Sequence, residues 1–428
     1  MIYGKLPLTH KFGFIHQFTF SMPSLSDQLK SLGVQVGAKD LKPPPATNPY
    51  SIERVLNGRI LSTSLGDTYV VESRYPLDYT QGTSLLWTDQ PLNLLASWAQ
   101  DERINDLAPQ AFAFLDTETT GLSGGTGTYA FLIGVGRIQS GEFYLTQFFM
   151  RDPVYEPGQL AALEEFIAPC SALVTFNGKS FDMPLLHTRY LSHGWIPPFS
   201  DQAHIDLLHL ARRLWRDRLP SRTLPNLELQ ILKTTRTEED VPGWMIPQIF
   251  FDYLRSGDAR PLKSIFYHNA MDVLSLAALL SHVINMLAEP LNVQVEHSID
   301  IIAMAKLFEE QGFTDLAIQL YLQGMDIGLP EDATINAMFR LATIHKRQEN
   351  FAKAIPLWEQ VAKQKQLQAH VELAKYYEHR AQDFQQAISW TEAAISIVND
   401  PKFPKHEKSF WQSELEHRLM RLNRKLHG

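Results

Sequence analysis

Two carboxylates, Asp116 and Glu118, stand two residues apart in LDTETTGL (115–122), on the heels of the apolar run AFAFLD (111–116). If that run is a buried strand, positions i and i+2 share a face and the two acids project side by side. Ionised carboxylates so placed repel each other, and a shared cation is the usual way to keep both charged. A third acid, Asp182, follows the apolar run ALVTF (172–176) and a polar turn in LVTFNGKSFDMPLL (173–186). A carboxylate opening a helix behind such a strand can face the first pair, or it can simply serve the helix N-terminus. A fourth, Asp272, starts the apolar stripe Val273, Leu276, Leu279 and Leu280 in YHNAMDVLSLAALL (267–280), with His268 four residues earlier. If the helix reaches back that far, His268 and Asp272 share a face, and a histidine there can orient or deprotonate a water near neutral pH. Each feature alone has a plainer role: edge-strand acids, a helix cap, a structural histidine. Taken together, four acids and a histidine from three separated segments suit a phosphodiesterase centre holding two cations roughly 4 Å apart. An all-oxygen donor set favours Mg²⁺ or Mn²⁺ over Zn²⁺.

The segments that must position these residues alternate between strand and helix patterns. After AFAFLD come YAFLIGVGRI (129–138) and EFYLTQFF (142–149), joined by a Ser-Gly turn as a hairpin. A helix follows near 158–168, then the strand ALVTF, then a helix from about Ser180; the stretch 205–287 reads as largely helical. That order predicts an α/β layer fold with a mixed central sheet and flanking helices, over residues 106–290. Residues 1–105 read as an extension packed on it, without an assignable role. They contain the proline-rich break LKPPPATNP (41–49), a strand near 68–73 and a short helix at 92–98.

Residues 298–428 change character. LAIQLYLQGM (316–325), KAIPLWEQVA (353–362) and QAISWTEAAI (386–395) place Ala317, Ala354 and Ala387 at intervals of 37 and 33 residues. Each is preceded by a partner helix: AMAKLFEEQG, AMFRLATIHKR and HVELAKYYEHR. A period near 34 with paired helices resembles tetratricopeptide repeats, with an amphipathic helix at about 406–426 as a cap. Such an array predicts a protein partner.

DTETTGL, FNGKSFD and HNAMDV together resemble the three motifs of the DEDD superfamily of 3′–5′ exonucleases, which have a ribonuclease-H-like fold. The intervals, 66 residues from Asp116 to Asp182 and 90 from Asp182 to Asp272, fit that family. More narrowly, residues 111–285 resemble the YprB-type ribonuclease-H-like domain, through DLLHLARRLW (206–215), Leu-Pro-Asn-Leu-Glu (224–228), VPGWMIP (241–247) and HNxxDVLSL (268–276). The resemblance covers about 40% of the chain. It implies that Asp116, Glu118, Asp182 and Asp272 are ligands for two Mg²⁺ or Mn²⁺ ions, and that cleavage proceeds from a 3′ end. One departure stands out. The best-known members carry tyrosine four residues before the last aspartate or histidine five before it. Here His268 is at minus four and Tyr267 at minus five, and His268 is expected to orient the water.

Candidate substrate contacts lie nearby. Arg212, Arg213, Arg216, Arg218 and Arg222 crowd into ARRLWRDRLPSR, where guanidinium forks suit phosphate and Trp215 could stack on a base; a solvated helix face with one buried tryptophan is the alternative. Asn177 and Lys179 flank Asp182 and could touch a phosphate. The glycines of TGLSGGTGTY (120–129) would let backbone approach a terminal nucleotide. His204 and Asp206 read as structural, since four acids already fill a two-cation site. Gly178-Lys179-Ser180 is no P-loop, because Leu173 stands where that motif needs glycine.

The 428 residues carry 44% apolar and 20% charged side chains with a net charge of −8, an ordinary globular composition. The chain is not basic overall, so nucleic-acid binding would need a local patch. The one cysteine, Cys170, rules out an intrachain disulfide and reads as a buried small hydrophobe; a reducing, cytoplasmic setting is expected. No apolar run of about 18 residues is evident, so no membrane span is expected, and the N-terminus lacks a signal-like apolar core. The expectation is a metal-dependent 3′–5′ exonuclease acting on single-stranded DNA or RNA or on 3′ ends. Its rivals are an inactive scaffold acting through its repeats and an endonuclease on RNA–DNA hybrids.

Overall fold

The computed structural model describes residues 49–121, 125–292 and 296–427. Most of the proline-rich break (41–48) and part of the glycine-rich loop (122–124) lie outside the described residues.

The strand β5 (Phe112–Thr119) sits at the centre. Phe112 and Phe114 enter one apolar core while Ala113 and Leu115 enter another, which is why its first half reads as an uninterrupted apolar run. To one side lie β6 (Ala130–Gln139) and β7 (Glu142–Phe149), the hairpin expected from their turn, and beyond them β2 (Gly66–Pro76) and β1 (Gly58–Thr63). To the other side lie β8 (Ala172–Thr175) and β9 (Ala203–Asp206). The sheet order is β1-β2-β7-β6-β5-β8-β9. Pairing is antiparallel from β1 to β5 and parallel from β5 to β9. A small hairpin, β3 (Thr80–Gln81) and β4 (Ser84–Leu85), forms a separate sheet. The mixed sheet with flanking helices is the expected fold class. The sheet also runs across the boundary expected at 105/106, since β1 and β2 are its outer strands. The stretch read as largely helical from 205 is so from Leu207 onward; the strand β9 before it was not foreseen, since at four residues it is too short to show a period.

The helices are α1 (Asn93–Ala99), α2 (Glu156–Ile167), α3 (Asp182–Ser192), α4 (Leu207–Trp215), α5 (Ile246–Ser256) and α6 (Leu262–Ala288). The long α6 crosses β5 and β6. Close approach is possible because β6 carries Gly134 and Gly136. A Cβ on Gly134 would lie 2.2 Å from Asn269 Oδ1, and one on Gly136 would lie 2.8 Å from Val273 Cγ1. The same helix corrects an expectation: by length and composition it could cross a membrane. Its most apolar stretch is instead 72% buried within the protein, as in a core helix.

The remaining chain is all-helical: α7 (Ser298–Glu310), α8 (Thr314–Ile327), α9 (Glu331–Arg347), α10 (Phe351–Lys363), α11 (Leu367–His379), α12 (Phe384–Val398) and α13 (Lys405–His427). Helices pack as α7 on α8, α9 on α10 and α11 on α12, with α13 on α12. Ala317, Ala354 and Ala387 are wholly buried in the second helix of each pair. The first pair is not separate from the sheet domain. Ile301, Phe308, Leu320 and Tyr321 share one apolar core with Phe114, Leu210 and Leu276.

Candidate active site

The bottom of the site is the outgoing half of β5. Asp116 pairs in register with Gly134, and the ladder slips between Glu118 and Thr119. Such an irregularity re-aims side chains at a strand end. Asn269 of α6 fills the space that Gly134 leaves open. Its Nδ2 donates to Asp116 Oδ2 at 2.9 Å, and its Oδ1 accepts from Gln147 Nε2 at 3.0 Å. Asp116 is therefore held by a wholly buried amide that is itself fixed from β7.

Asp182 opens α3. Its Oδ1 accepts from Thr117 Oγ1 at 2.5 Å, which ties it to the strand between the first two acids. The turn before it is built on Asp206, which is fully buried and accepts from the backbone N–H of Asn177 at 2.7 Å, Lys179 at 3.1 Å and Leu208 at 3.1 Å. His204 Nε2 lies 2.8 Å from Thr175 Oγ1. Both residues of the His-x-Asp pair are thus engaged in holding the turn. Asn177 adopts a left-handed φ of 65° there.

Asp272 and His268 lie one turn apart on α6, as the spacing required, with His268 Nε2 3.6 Å from Asp272 Oδ2. His268 Nδ1 is 2.7 Å from Asp240 Oδ1. Asp272 Oδ1 accepts from Arg236 Nη2. That guanidinium also grips the buried Glu228 through two bonds of 2.8 and 2.7 Å. Tyr267 points elsewhere, its hydroxyl accepting from Thr237 N–H at 3.0 Å.

The four acids fall into two adjoining groups. Asp116 and Asp182 line a cleft of about 510 Å³ whose walls include Thr119, Phe176, Asn177 and Phe181. Glu118, Asp272 and His268 bring one donor atom each to within 4.8 Å of one another. Burial raises every one of the four carboxyls. For Asp116 the charges of Asp272, Glu118 and Asp182 push it further, well above the usual range. Glu118 is raised well above its range by burial and then by Asp272 and Asp182. Asp182 is pushed up to about 6 by burial, with the Thr117 bond opposing. Asp272 is raised by burial, with Arg236 opposing. Buried acids that cannot comfortably ionise together lack positive charge. Hard divalent cations are the charge that oxygen donors of this kind accept, so the residues present fit such ions.

A family model described as RNase_H superfamily matches residues 113–284. "Uncharacterized protein YprB" of Bacillus subtilis (strain 168) is 32% identical over 338 residues, covering 76% of this chain and 79% of its own. The chain belongs to the family of YprB, and its residues 113–284 match the RNase_H superfamily. A solved structure, the family B DNA polymerase from the hyperthermophilic archaeon Pyrobaculum calidifontis, aligns with 51% of this chain and 30% of its own, at 17% identity and a TM-score of 0.33. The chain therefore spans under a third of that polymerase.

In this RNase_H superfamily chain the carboxylates and His268 converge, but the arginine cluster does not join them. Trp215 is 1% exposed in the apolar core, which corrects the expectation that it could stack on a base. Arg213 pairs with Glu310, Arg218 Nε donates to Asp300 Oδ1 at 2.8 Å, and Lys306 pairs with Asp217 at 2.7 Å. The segment fastens α4 to α7, and Arg213 is committed to that work. Arg212 and Arg216 are exposed, Arg216 lying 3.5 Å from Asp217. Asn177 lines the cleft and Lys179 is exposed at its turn. Cys170 is buried. Three residues of the site were not singled out from sequence: Asn269, Arg236 and Asp240. Asn269 stood within the HN pair beside His268; Arg236 and Asp240 carried no signal.

Proposed function

We propose that this protein is a metal-dependent nuclease, and within that class a 3′–5′ exonuclease using two divalent cations, Mg²⁺ or Mn²⁺. The observation that carries the reading is the convergence of four buried or half-buried, mutually repelling carboxylates from three distant segments beside a cleft of nucleotide-binding size. Such cations, when bound, polarise the phosphate and lower the pKa of water. The chain's own part is positional. Asn269 and Thr117 hold Asp116 and Asp182 at the cleft, and Asp240 holds His268 toward Glu118 and Asp272. Phe181, 53% exposed on the cleft wall, offers a ring to a terminal base. Asn177, Lys179, Arg212 and Arg216 are proposed phosphate contacts. The helical pairs, which resemble tetratricopeptide repeats, are proposed to recruit a protein partner, in a cytoplasmic setting.

The test is incubation with 5′-labelled single-stranded DNA and RNA, with Mg²⁺, Mn²⁺ or chelator. A ladder shortening from the 3′ end, stalled by a 3′ block and absent in Asp182→Ala, is expected. One observation favours the rival scaffold reading: Arg236 already neutralises Asp272. No cleavage of any strand by a folded protein would shift the reading there, and cleavage of 3′-blocked hybrids would make it an endonuclease.

A further inference from the structure

We propose that His268 is a cation ligand rather than a free base. Glu118, His268 Nε2 and Asp272 then form a mixed nitrogen–oxygen site that selects a transition-metal dication over Mg²⁺, and Asp240 aims the imidazole. The inference rests on the metal-dependent reading above for the presence of a cation, and departs from it in which residues hold the ion.

Three observations carry it. The donor atoms lie within 4.8 Å of one another. Donors about 2.0–2.2 Å from one ion can be at most about 4.4 Å apart, so the group would have to contract to close on an ion. The Glu118 carboxylate, in a residue 9% exposed, has no side-chain hydrogen bond or ion pair among the described residues. A buried carboxylate left so, facing His268 and Asp272, asks for a positive partner.

The third is the state of the imidazole. Asp240 Oδ1 lies 2.7 Å from Nδ1, and a carboxylate there can only accept, so the ring proton sits on Nδ1. Arg236 Nη1, at 3.2 Å from the same nitrogen, has no lone pair to address. Nε2 keeps its lone pair and points it toward Glu118 and Asp272. A carboxylate behind a histidine is the usual outer partner of a metal-bound imidazole, fixing its tautomer and raising its basicity. Asp272 divides its two oxygens accordingly: Oδ1 takes Arg236, and Oδ2 faces Nε2. Nitrogen in the donor set favours Mn²⁺ and the later transition metals over Mg²⁺, which prefers oxygen and water.

The experiment uses the purified full chain with Mn²⁺, and with Mg²⁺ as the competing ion. Mn²⁺ affinity is read by EPR titration, and pulsed EPR reads the ¹⁴N coupling of a ligated imidazole. The wild type is expected to show the coupling and to bind Mn²⁺ at least about tenfold more tightly than Mg²⁺. His268→Gln should lose both the coupling and the preference. Asp240→Asn, on a loop where it need not disturb folding, should weaken Mn²⁺ binding by about 10–100-fold. Absence of the coupling in the wild type, or its survival in His268→Gln, overturns the proposal. Cleavage assayed on the same samples keeps the two readings apart. Coupling without cleavage sinks the nuclease and leaves the ligand set; cleavage without coupling does the reverse.

Discussion

Asp182 shows what the site costs at the scale of one residue. Its carboxyl is raised from 3.8 to about 6, chiefly by burial, so the folded state favours the protonated form. The sign follows from linkage: this contribution is fully favourable below about pH 4 and is lost as pH rises through about 6. In chelator at pH 7.5, Asp182→Asn should therefore melt higher than the wild type, and the gap should shrink toward pH 4.5. A gap independent of pH, measured by thermal unfolding, would contradict the burial argument. Mn²⁺ at pH 7.5 should stabilise the wild type more than the variant, since the ion supplies the missing charge. The acids were legible in the sequence because their chemistry dictates residue type and because each stands at an edge of an apolar run, Asp116, Glu118 and Asp182 after one and Asp272 before one. Asn269, Asp240 and Arg236 were not, because their value lies in partners such as Asp116, His268 and Asp272 that only folding brings near.

Among the elements, the β6–α6 contact sets the geometry of Asp116. A methyl at Gly134 would meet Asn269 at 2.2 Å, so Gly134→Ala should destabilise by about 1–3 kcal/mol and displace Asn269. Cleavage should fall more than folding does; a variant that loses stability but keeps full activity would mean that Asn269 does not position Asp116. The loop after Arg236 is the second decisive element. It passes Asp240 at His268 and reaches Trp244, 80% exposed. Four residues span at most about 14 Å, so Trp244 lies within that reach of Asp240. Trp244→Ala is expected to raise KM for single strands by about fivefold or more at unchanged kcat, the loss of one base-stacking contact; an unchanged KM removes it from the substrate path. Neither role was readable beforehand. An exposed tryptophan in a Gly-Trp-Met turn looks like any other until its neighbours are known.

Over the whole molecule, the sequence's two periodicities identified the layers correctly, since period-2 and period-3.6 patterns report burial directly. They said little about where one layer ends. The outer strands β1 and β2 lie before the expected boundary at 105/106, and α7 and α8 share the core of α4 and α6. Calorimetry should accordingly show α7 and α8 melting together with the sheet domain rather than as a separate transition; independent melting would deny that shared core. At the far end, Glu378 of α11 is buried among Arg418 and Arg421, at 2.8 Å each, and Lys425 at 3.0 Å, all from α13. Burial would raise its carboxyl, but bonds from Arg421 and Lys425 prevail and hold it down to about 2. That fastening is present above about pH 4.5 and is lost as pH falls toward 2. Glu378→Gln should cost about 1–3 kcal/mol and release α13 to hydrogen exchange, while the sheet stays protected.

The exposure of Trp244 also has an optical consequence. Among the eight tryptophans it is the most exposed, while Trp98, Trp195, Trp390 and Trp411 are half-buried and Trp87, Trp215 and Trp358 are buried. The red edge of the intrinsic emission should therefore come from this ring, and iodide should quench that edge first. Whatever approaches the loop beside His268 would announce itself as a change in that quenching, with no label attached to protein or ligand.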